Sequence, residues 1–292
     1  MIDGNTRLIG LIGYPVAHSY SPAMHNAAAA ALGLNVAYVP LPVSPERLPD
    51  ALRGLVALGF RGVNVTVPHK EAVMSHLDAV FPAARVIGAV NTIVIGDGRL
   101  TGFNTDWSGF LADLESYRLA LYGRDCLVLG AGGSARAVVY ALLRRGGRVS
   151  VLARRPDQAR RLAEELKPAF PSAADIAVGR LDDAPRVAAQ LDEPVIVNAT
   201  PLGMSGERSE LSPWPDGAPF PPGAFIYDLV YNPAETRLMA QARAAGRRAA
   251  NGLGMLVGQA AEAFEVLTGR RPDPAVMRGV VERGKEHLAS SK

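Results

Sequence analysis

The sequence predicts an α/β fold in two domains, and three observations carry that prediction. Short apolar, β-rich runs alternate with helical stretches along the chain, the pattern of a largely parallel sheet covered by helices. The length of 292 residues is about twice the ~150 of one domain. An apolar strand at residues 126–129 runs directly into a glycine-rich turn that opens a helix, and a second alternating series starts there.

In the first series, residues 8–12, 36–41 and 62–67 read as strands. Residues 22–32 and 45–58 read as helices, closed by Gly33 and Gly59, since glycine is favoured just past a helix C-terminus. Residues 91–95 and 99–103, joined by Gly96-Asp97-Gly98, predict a β-hairpin, and 107–117 a helix leading out of it. In the second series strands are expected at 126–129, 148–153, 175–178, 194–199 and 225–229, with helices at 134–145, 156–166 and 234–245. The Pro- and Ser-rich stretch 206–223 reads as a surface loop. Residues 253–268 and 273–288 are two closing helices with no strand after them.

Composition excludes several functions. With 48% hydrophobic and 20% charged residues the chain is an ordinary globular protein, and a net charge of +3 without any block of five or six basic residues is not a nucleic-acid binder's balance. No apolar run approaches ~18 residues, so no membrane span is expected, and the N-terminus lacks secretory character. The single cysteine, Cys126, has no disulfide partner, which predicts a cytoplasmic location. The five histidines show no metal-binding spacing, so no metal is expected. The anticipated partners are small molecules only, with the chain a monomer or homodimer.

The glycine-rich turn is Gly130-Ala131-Gly132-Gly133-Ser134-Ala135, a G-x-G-x-x-A element between strand and helix. In this context Gly130 permits the tight turn, Gly132 lets a pyrophosphate approach the backbone, and the helix N-terminus faces the phosphates. The glycines alone also fit a tight turn without a ligand. At the end of the next strand an acid would select NAD; here stand Arg154 and Arg155, with no acid before Asp157. Two guanidiniums suit a dianionic 2′-phosphate, so NADP (NADPH) is the predicted cofactor of a Rossmann-type domain. The alternative reading of both arginines is as solvated surface charges.

Polar segments interrupt the first series at strand ends and helix starts: 18–22 with Ser19 and Ser21, 64–70 with Thr66, His69 and Lys70, 88–92 with Asn91, and 102–106 with Asp106. Hydroxyls, amides, one lysine and one carboxylate suit a small, hydroxyl-rich anion. By residue type Ser19, Ser21 and Thr66 are equally helix caps or turn residues.

In order, S-x-S-P, N-V-T-x-P-x-K, G-A-V-N-T, G-x-N-T-D, G-A-G-G-x-A, N-A-T-P-x-G-M and a late G-x-x-M-L-x-x-Q-A resemble the shikimate dehydrogenase family from residue 9 to about 267. The resemblance implies NADPH-dependent reversible reduction of 3-dehydroshikimate to shikimate, on the route to chorismate and the aromatic amino acids. It implies that Ser19, Ser21, Thr66, Asn91, Tyr231 and Gln259 bind substrate together with Lys70 and Asp106, the catalytic pair. It also implies that Asn198 and Thr200 lie beside the nicotinamide ribose and that Leu229, Gly252 and Met255 lie on the nicotinamide side. The chain departs from the family's usual N-R-T after the second strand of the nucleotide domain, having Ala153-Arg154-Arg155.

Gly279 to Lys285 has phosphate-loop spacing but lacks the following Ser/Thr and any preceding strand, and reads as helix. Two rivals remain: a quinate/shikimate dehydrogenase using NAD(P) catabolically on the same scaffold, and a non-catalytic nucleotide-binding homologue. The expected division is 1–106 with 253–292 as substrate domain and 107–252 as NADP domain, with the site in the cleft between them.

Overall fold

The computed structural model describes residues 2–171 and 175–290, the last six by backbone alone. The chain forms two compact units, Met1–Thr105 with Val257–Lys292, and Asp106–Leu256.

The first unit contains β1 (Arg7–Gly13), α1 (Ser21–Ala31), β2 (Val36–Pro42), α2 (Leu48–Ala57), β3 (Gly62–Val65), α3 (His69–Ala72), β4 (Ala79–Val80), α4 (Pro82–Ile87), β5 (Thr92–Gly96) and β6 (Arg99–Phe103). Its sheet order is β2-β1-β3-β5-β6-β4. β1 pairs in parallel with β2 and β3, while β5 turns the sheet antiparallel. Ile9, Leu11 and Ile12 of β1 are all buried, as a central parallel strand covered on both faces requires. Leu48, Leu52 and Leu55 of α2 cover one face with Ile12, Val63 and Val65.

The second unit contains α5 (Asp106–Ser116), β7 (Asp125–Leu129), α6 (Gly133–Arg144), β8 (Arg148–Ala153), α7 (Pro156–Leu166), β9 (Ala177–Arg180), α8 (Ala184–Ala188), β10 (Val195–Asn198), β11 (Phe225–Asp228), α9 (Arg237–Ala244) and β12 (Arg248–Asn251). Its sheet is parallel throughout, in the order β12-β11-β10-β7-β8-β9. The order reverses beside β7, so the C-terminal ends of β7 and β10 flank the crevice where doubly wound sheets take ligands. α10 (Leu253–Thr268) begins in this unit and continues into the first, followed by α11 (Pro274–Ser290).

Several local expectations change. The strand expected over 62–67 ends at Val65, because Pro68 cannot donate to a ladder. The strand expected at 175–178 lies at Ala177–Arg180, where Ala153 pairs with Arg180. The helix expected from residue 234 starts at Arg237, where Thr236 accepts the Met239 N–H as its cap. The stretch 206–223 is irregular but not merely surface: Trp214 and Phe220 are buried and stacked at 4.5 Å, and the Trp214 indole donates to Ala218 O. Truncating an aromatic so placed costs about 3–5 kcal/mol, so the loop is anchored to the core beneath it. The short β4, α4, α8 and β12 escaped the sequence reading. The unit boundaries fall one residue before the expected 106/107 division and four after the expected 252/253 division. Asp106 opens α5, and the first turn of α10 packs on that helix, the Gly254 backbone lying against Asp113.

Candidate functional site

In the first unit, the polar segments collect at the C-terminal ends of β1 and β3 and at the start of β5. Ser19 and Ser21 stand at the N-terminus of α1, where Ser19 Oγ accepts the Ser21 N–H at 3.2 Å. This keeps one hydroxyl beside helix N–H groups that favour an anion. Thr66 is fixed through its backbone, its N–H donating to Ile12 O at 2.9 Å and its carbonyl accepting the His69 N–H at 2.9 Å. The Lys70 carbonyl accepts the Val90 N–H at 2.8 Å, tying the lysine's segment to 88–92.

Asn91 is the hub. Its Nδ2 donates to Thr105 Oγ1 at 2.9 Å and to Gln259 Oε1 at 3.3 Å, and its Oδ1 accepts from Thr105 N at 2.8 Å and Thr92 Oγ1 at 3.1 Å. Thr105 Oγ1 donates in turn to Gln259 O at 3.0 Å. The sequence thus brings together side chains 168 positions apart. Behind them the buried Asn64 receives the Tyr38 hydroxyl at 2.9 Å and donates to Asn91 O and Thr92 Oγ1, while Asn104 donates to Ala89 O. Asn64, Asn104 and Thr105 were not singled out as site residues in the sequence; their signal was polarity within the 64–70 and 102–106 segments.

His69 is buried, and its Nε2 lies 2.7 Å from Val43 O, which makes it a structural strut between β2 and α3. His25 is buried and stacked on Tyr38 at 4.3 Å, and burial pushes its imidazole down to about 3. His287 lies outside the residues whose side chains are described. No group of His, Cys, Asp or Glu capable of holding a metal occurs among the described residues.

In the second unit, Gly130 has φ +116°, and a Cβ there would meet the Ala199 carbonyl oxygen at 2.9 Å, so only glycine fits the turn after β7. Gly132 faces open space and is followed by the 12-residue α6, which has no side-chain cap. N–H groups at the start of such a helix suit a phosphate, with Ala131, Gly133, Ser134 and Ala135 completing the loop. Arg154 and Arg155, after β8, are exposed, and neither forms an ion pair among the described residues. By contrast Arg160 and Arg161 on α7 pair with Asp157 and Glu165. An uncapped glycine loop and two unneutralised guanidiniums fit a dinucleotide carrying a 2′-phosphate.

The residues after β10 and β11 are held differently. Asn198 is fully buried: Nδ2 donates to Asp228 Oδ1 at 2.8 Å and Leu202 O at 3.2 Å, and Oδ1 accepts from Thr200 N at 3.0 Å and Thr200 Oγ1 at 2.7 Å. Its side chain is thus spent inside the protein. Asp228, also fully buried, accepts further bonds from Val230 N at 3.0 Å and Thr236 Oγ1 at 2.6 Å. Burial pushes its carboxyl up to about 6 against those three donors. Gly252 packs so tightly that a Cβ would lie 2.2 Å from Leu229 O. Met255 is buried, Leu229 and Tyr231 half-buried. Cys126 is buried, which pushes its thiol up to about 12 and leaves it inert.

The comparisons with known proteins agree along the chain. The family profile described as shikimate dehydrogenase substrate binding domain matches residues 11–93, and that of the shikimate 5′-dehydrogenase C-terminal domain matches residues 252–282. A protein of Salinibacter ruber named shikimate dehydrogenase (NADP(+)) is 50% identical over 279 residues, 94% of this chain and 97% of its own. A shikimate dehydrogenase solved in complex with NADP+ superposes with a TM-score of 0.89 at 38% identity, covering 97% of each chain. The shikimate 5-dehydrogenase of Thermus thermophilus, solved with NADP(H) and shikimate, gives 0.83 at 42% identity, covering 95% of this chain and 99% of its own. Half of all positions shared over nearly the whole of both sequences, on the same two-domain α/β fold, means that the chain belongs to the shikimate dehydrogenase family.

Proposed function

We propose that the chain is an NADP-dependent shikimate dehydrogenase that interconverts 3-dehydroshikimate and shikimate, a step toward chorismate and the aromatic amino acids. The observation that supports this reading best is the convergence in the first unit, where Asn91 and Gln259 meet behind Thr105 beside the segments of Ser19, Ser21, Thr66 and Lys70. This supplies hydroxyls and amides for a polyhydroxylated acid, with the α1 N-terminus beside its carboxylate.

When bound, NADPH supplies the hydride. In this reading residues 1–106 with 253–292 hold the substrate and 107–252 the cofactor. Ser19 and Ser21 bind the carboxylate, and Thr66, Asn91, Tyr231 and Gln259 the hydroxyls. As hydride reaches the ring carbonyl carbon, negative charge develops on its oxygen, and the Lys70 ammonium stabilises that charge and delivers the proton. Asp106 accepts a substrate hydroxyl and orients Lys70. Arg154 and Arg155 take the 2′-phosphate, the 130–135 loop takes the diphosphate, and Leu229, Gly252 and Met255 bound the nicotinamide. The enzyme works in the cytoplasm as a monomer or homodimer. No helix among the described residues is long and apolar enough to cross a membrane.

Steady-state kinetics test this reading, following NADPH absorbance with shikimate or quinate and NADP+ or NAD+. Turnover is expected to favour shikimate with NADP+. Faster turnover of quinate with NAD+ supports the catabolic alternative, and no turnover supports a nucleotide-binding homologue.

A further inference from the structure

Every segment of the second unit that carries a proposed nicotinamide-side residue leads back to one side chain. Asp228 ends β11 as a fully buried carboxylate, yet no arginine or lysine among the described residues partners it; its bonds come from Asn198, Val230 and Thr236. Through Asn198 it holds the turn 198–202, because Asn198 also grips Leu202 O and both polar atoms of Thr200. Thr200 Oγ1 then accepts the Leu202 N–H at 3.2 Å. Through Val230 it holds Leu229 and Tyr231, and the Val230 carbonyl accepts the Gly252 N–H at 3.4 Å. Through Thr236 it reaches the cap of α9, against which a Cβ at Gly203 would meet Thr236 Cβ at 3.1 Å and its methyl at 3.3 Å.

A buried carboxylate without a cationic partner costs more to desolvate than a neutral side chain filling the same space, even when hydrogen-bonded. Core stability alone therefore does not account for it. A charge that accepts from two side chains and one backbone N–H does fix three segments at once, with bonds about twice as strong as neutral ones. We propose that Asp228 is a positioning residue for hydride transfer: it sets the shape of 198–203 and 229–231 so that the nicotinamide lies in one reactive orientation. The proposal rests on the NADP-dependent reading above. It assigns cofactor affinity to the 130–135 loop and the two arginines, and orientation to Asp228.

The test uses D228N, which keeps the shape but leaves the Thr236 hydroxyl without its acceptor, and T236V, which removes that donor while sparing the carboxylate. Misplacement of the reacting atoms by ~1 Å costs up to about 10²-fold, so kcat is expected to fall about 10- to 100-fold in D228N and about tenfold in T236V. NADPH Kd, measured by fluorescence titration, should stay within about threefold, because the affinity contacts lie elsewhere. The primary isotope effect with shikimate deuterated at the carbinol carbon should rise as hydride transfer becomes rate-limiting. In the cofactor-free protein, amide exchange at Thr200, Leu202 and Val230 should quicken while Gly130, bonded to Leu152 O, keeps its protection.

Wild-type kcat and isotope effect in both variants overturn the proposal. So does a loss of NADPH affinity in step with kcat, or exchange that quickens throughout the unit, since each marks a structural role only. If the wild-type protein fails to turn over shikimate, the functional reading falls instead, and the exchange measurement still decides whether Asp228 holds these segments.

Discussion

The two units solve the same problem, holding polar groups at strand ends, by opposite means. The first uses amides and hydroxyls bonded to one another: Asn64 donates to Asn91 O, Asn91 to Thr105 and Gln259, and Thr105 to Gln259 O. The second relies on backbone shape and a buried charge, with glycines where no Cβ fits and Asp228 binding the turns together. An amide and hydroxyl network accommodates a mixed sheet and a helix returning from 168 positions away. The glycine and carboxylate device needs the regular crevice of a parallel sheet, where strand ends line up.

The largest effect expected from breaking this contrast is in the first unit. Lys70→Ala should lower kcat by about 10²–10⁴-fold, the range for a positioned acid, with the fold intact by circular dichroism. A variant with wild-type kcat removes Lys70 from the chemistry. In the second unit, replacing Arg154 and Arg155 with Ala should raise KM for NADP+ by about 10- to 100-fold, as loss of charge-assisted bonds predicts, and leave KM for NAD+ nearly unchanged. Parallel loss with both cofactors would mean that the arginines do not read the 2′-phosphate.

Gly252→Ala sharpens the claim about backbone shape. Its Cβ would meet the Leu229 carbonyl oxygen, a neighbour that cannot swing aside, so a destabilisation of about 1–3 kcal/mol is expected in urea unfolding. An unchanged midpoint would show that the 229–231 segment yields.

The smallest effect separates the units by pH. His25 is held neutral, with a folded value of about 3 against about 6.5 when unfolded, so the unfolded state binds more protons between those values. Stability contributed by the neutral ring is therefore lost as pH falls below about 6.5, by about 2 kcal/mol at pH 5. Asp228 has the opposite sign. Its folded value of about 6 exceeds the ordinary carboxylate value, so its unfavourable contribution grows as pH rises through about 4–6. Native-state hydrogen exchange should show the first unit losing protection on acidification below about pH 6.5, and His25→Phe should flatten that slope. An unchanged slope in His25→Phe would refute the assignment.

Much of this was legible in the sequence because it is local. Strand alternation, Pro22 in the first turn of α1, and the Gly130 turn between β7 and α6 are set by residues within one or two turns of each other. The glycine-rich turn and the two arginines Arg154 and Arg155 were readable for the same reason, since each directly follows a strand, β7 or β8. The edge strands β4 and β12 were not, because two to four residues carry too little periodicity to register. Trp214 and Phe220 were hidden in a proline-rich stretch whose composition reads as surface.

What the sequence determined by itself was the kind of fold and the order of its motifs. Only the tertiary structure decided that Gln259 meets Asn91 and that the carboxylate of Asp228 is the knot joining 198–202, 229–231 and Thr236. The physical reason is range. Backbone propensity and turn chemistry act between near neighbours, whereas a buried polar group is satisfied by whatever the packed core brings to it, and only the packed chain specifies that partner.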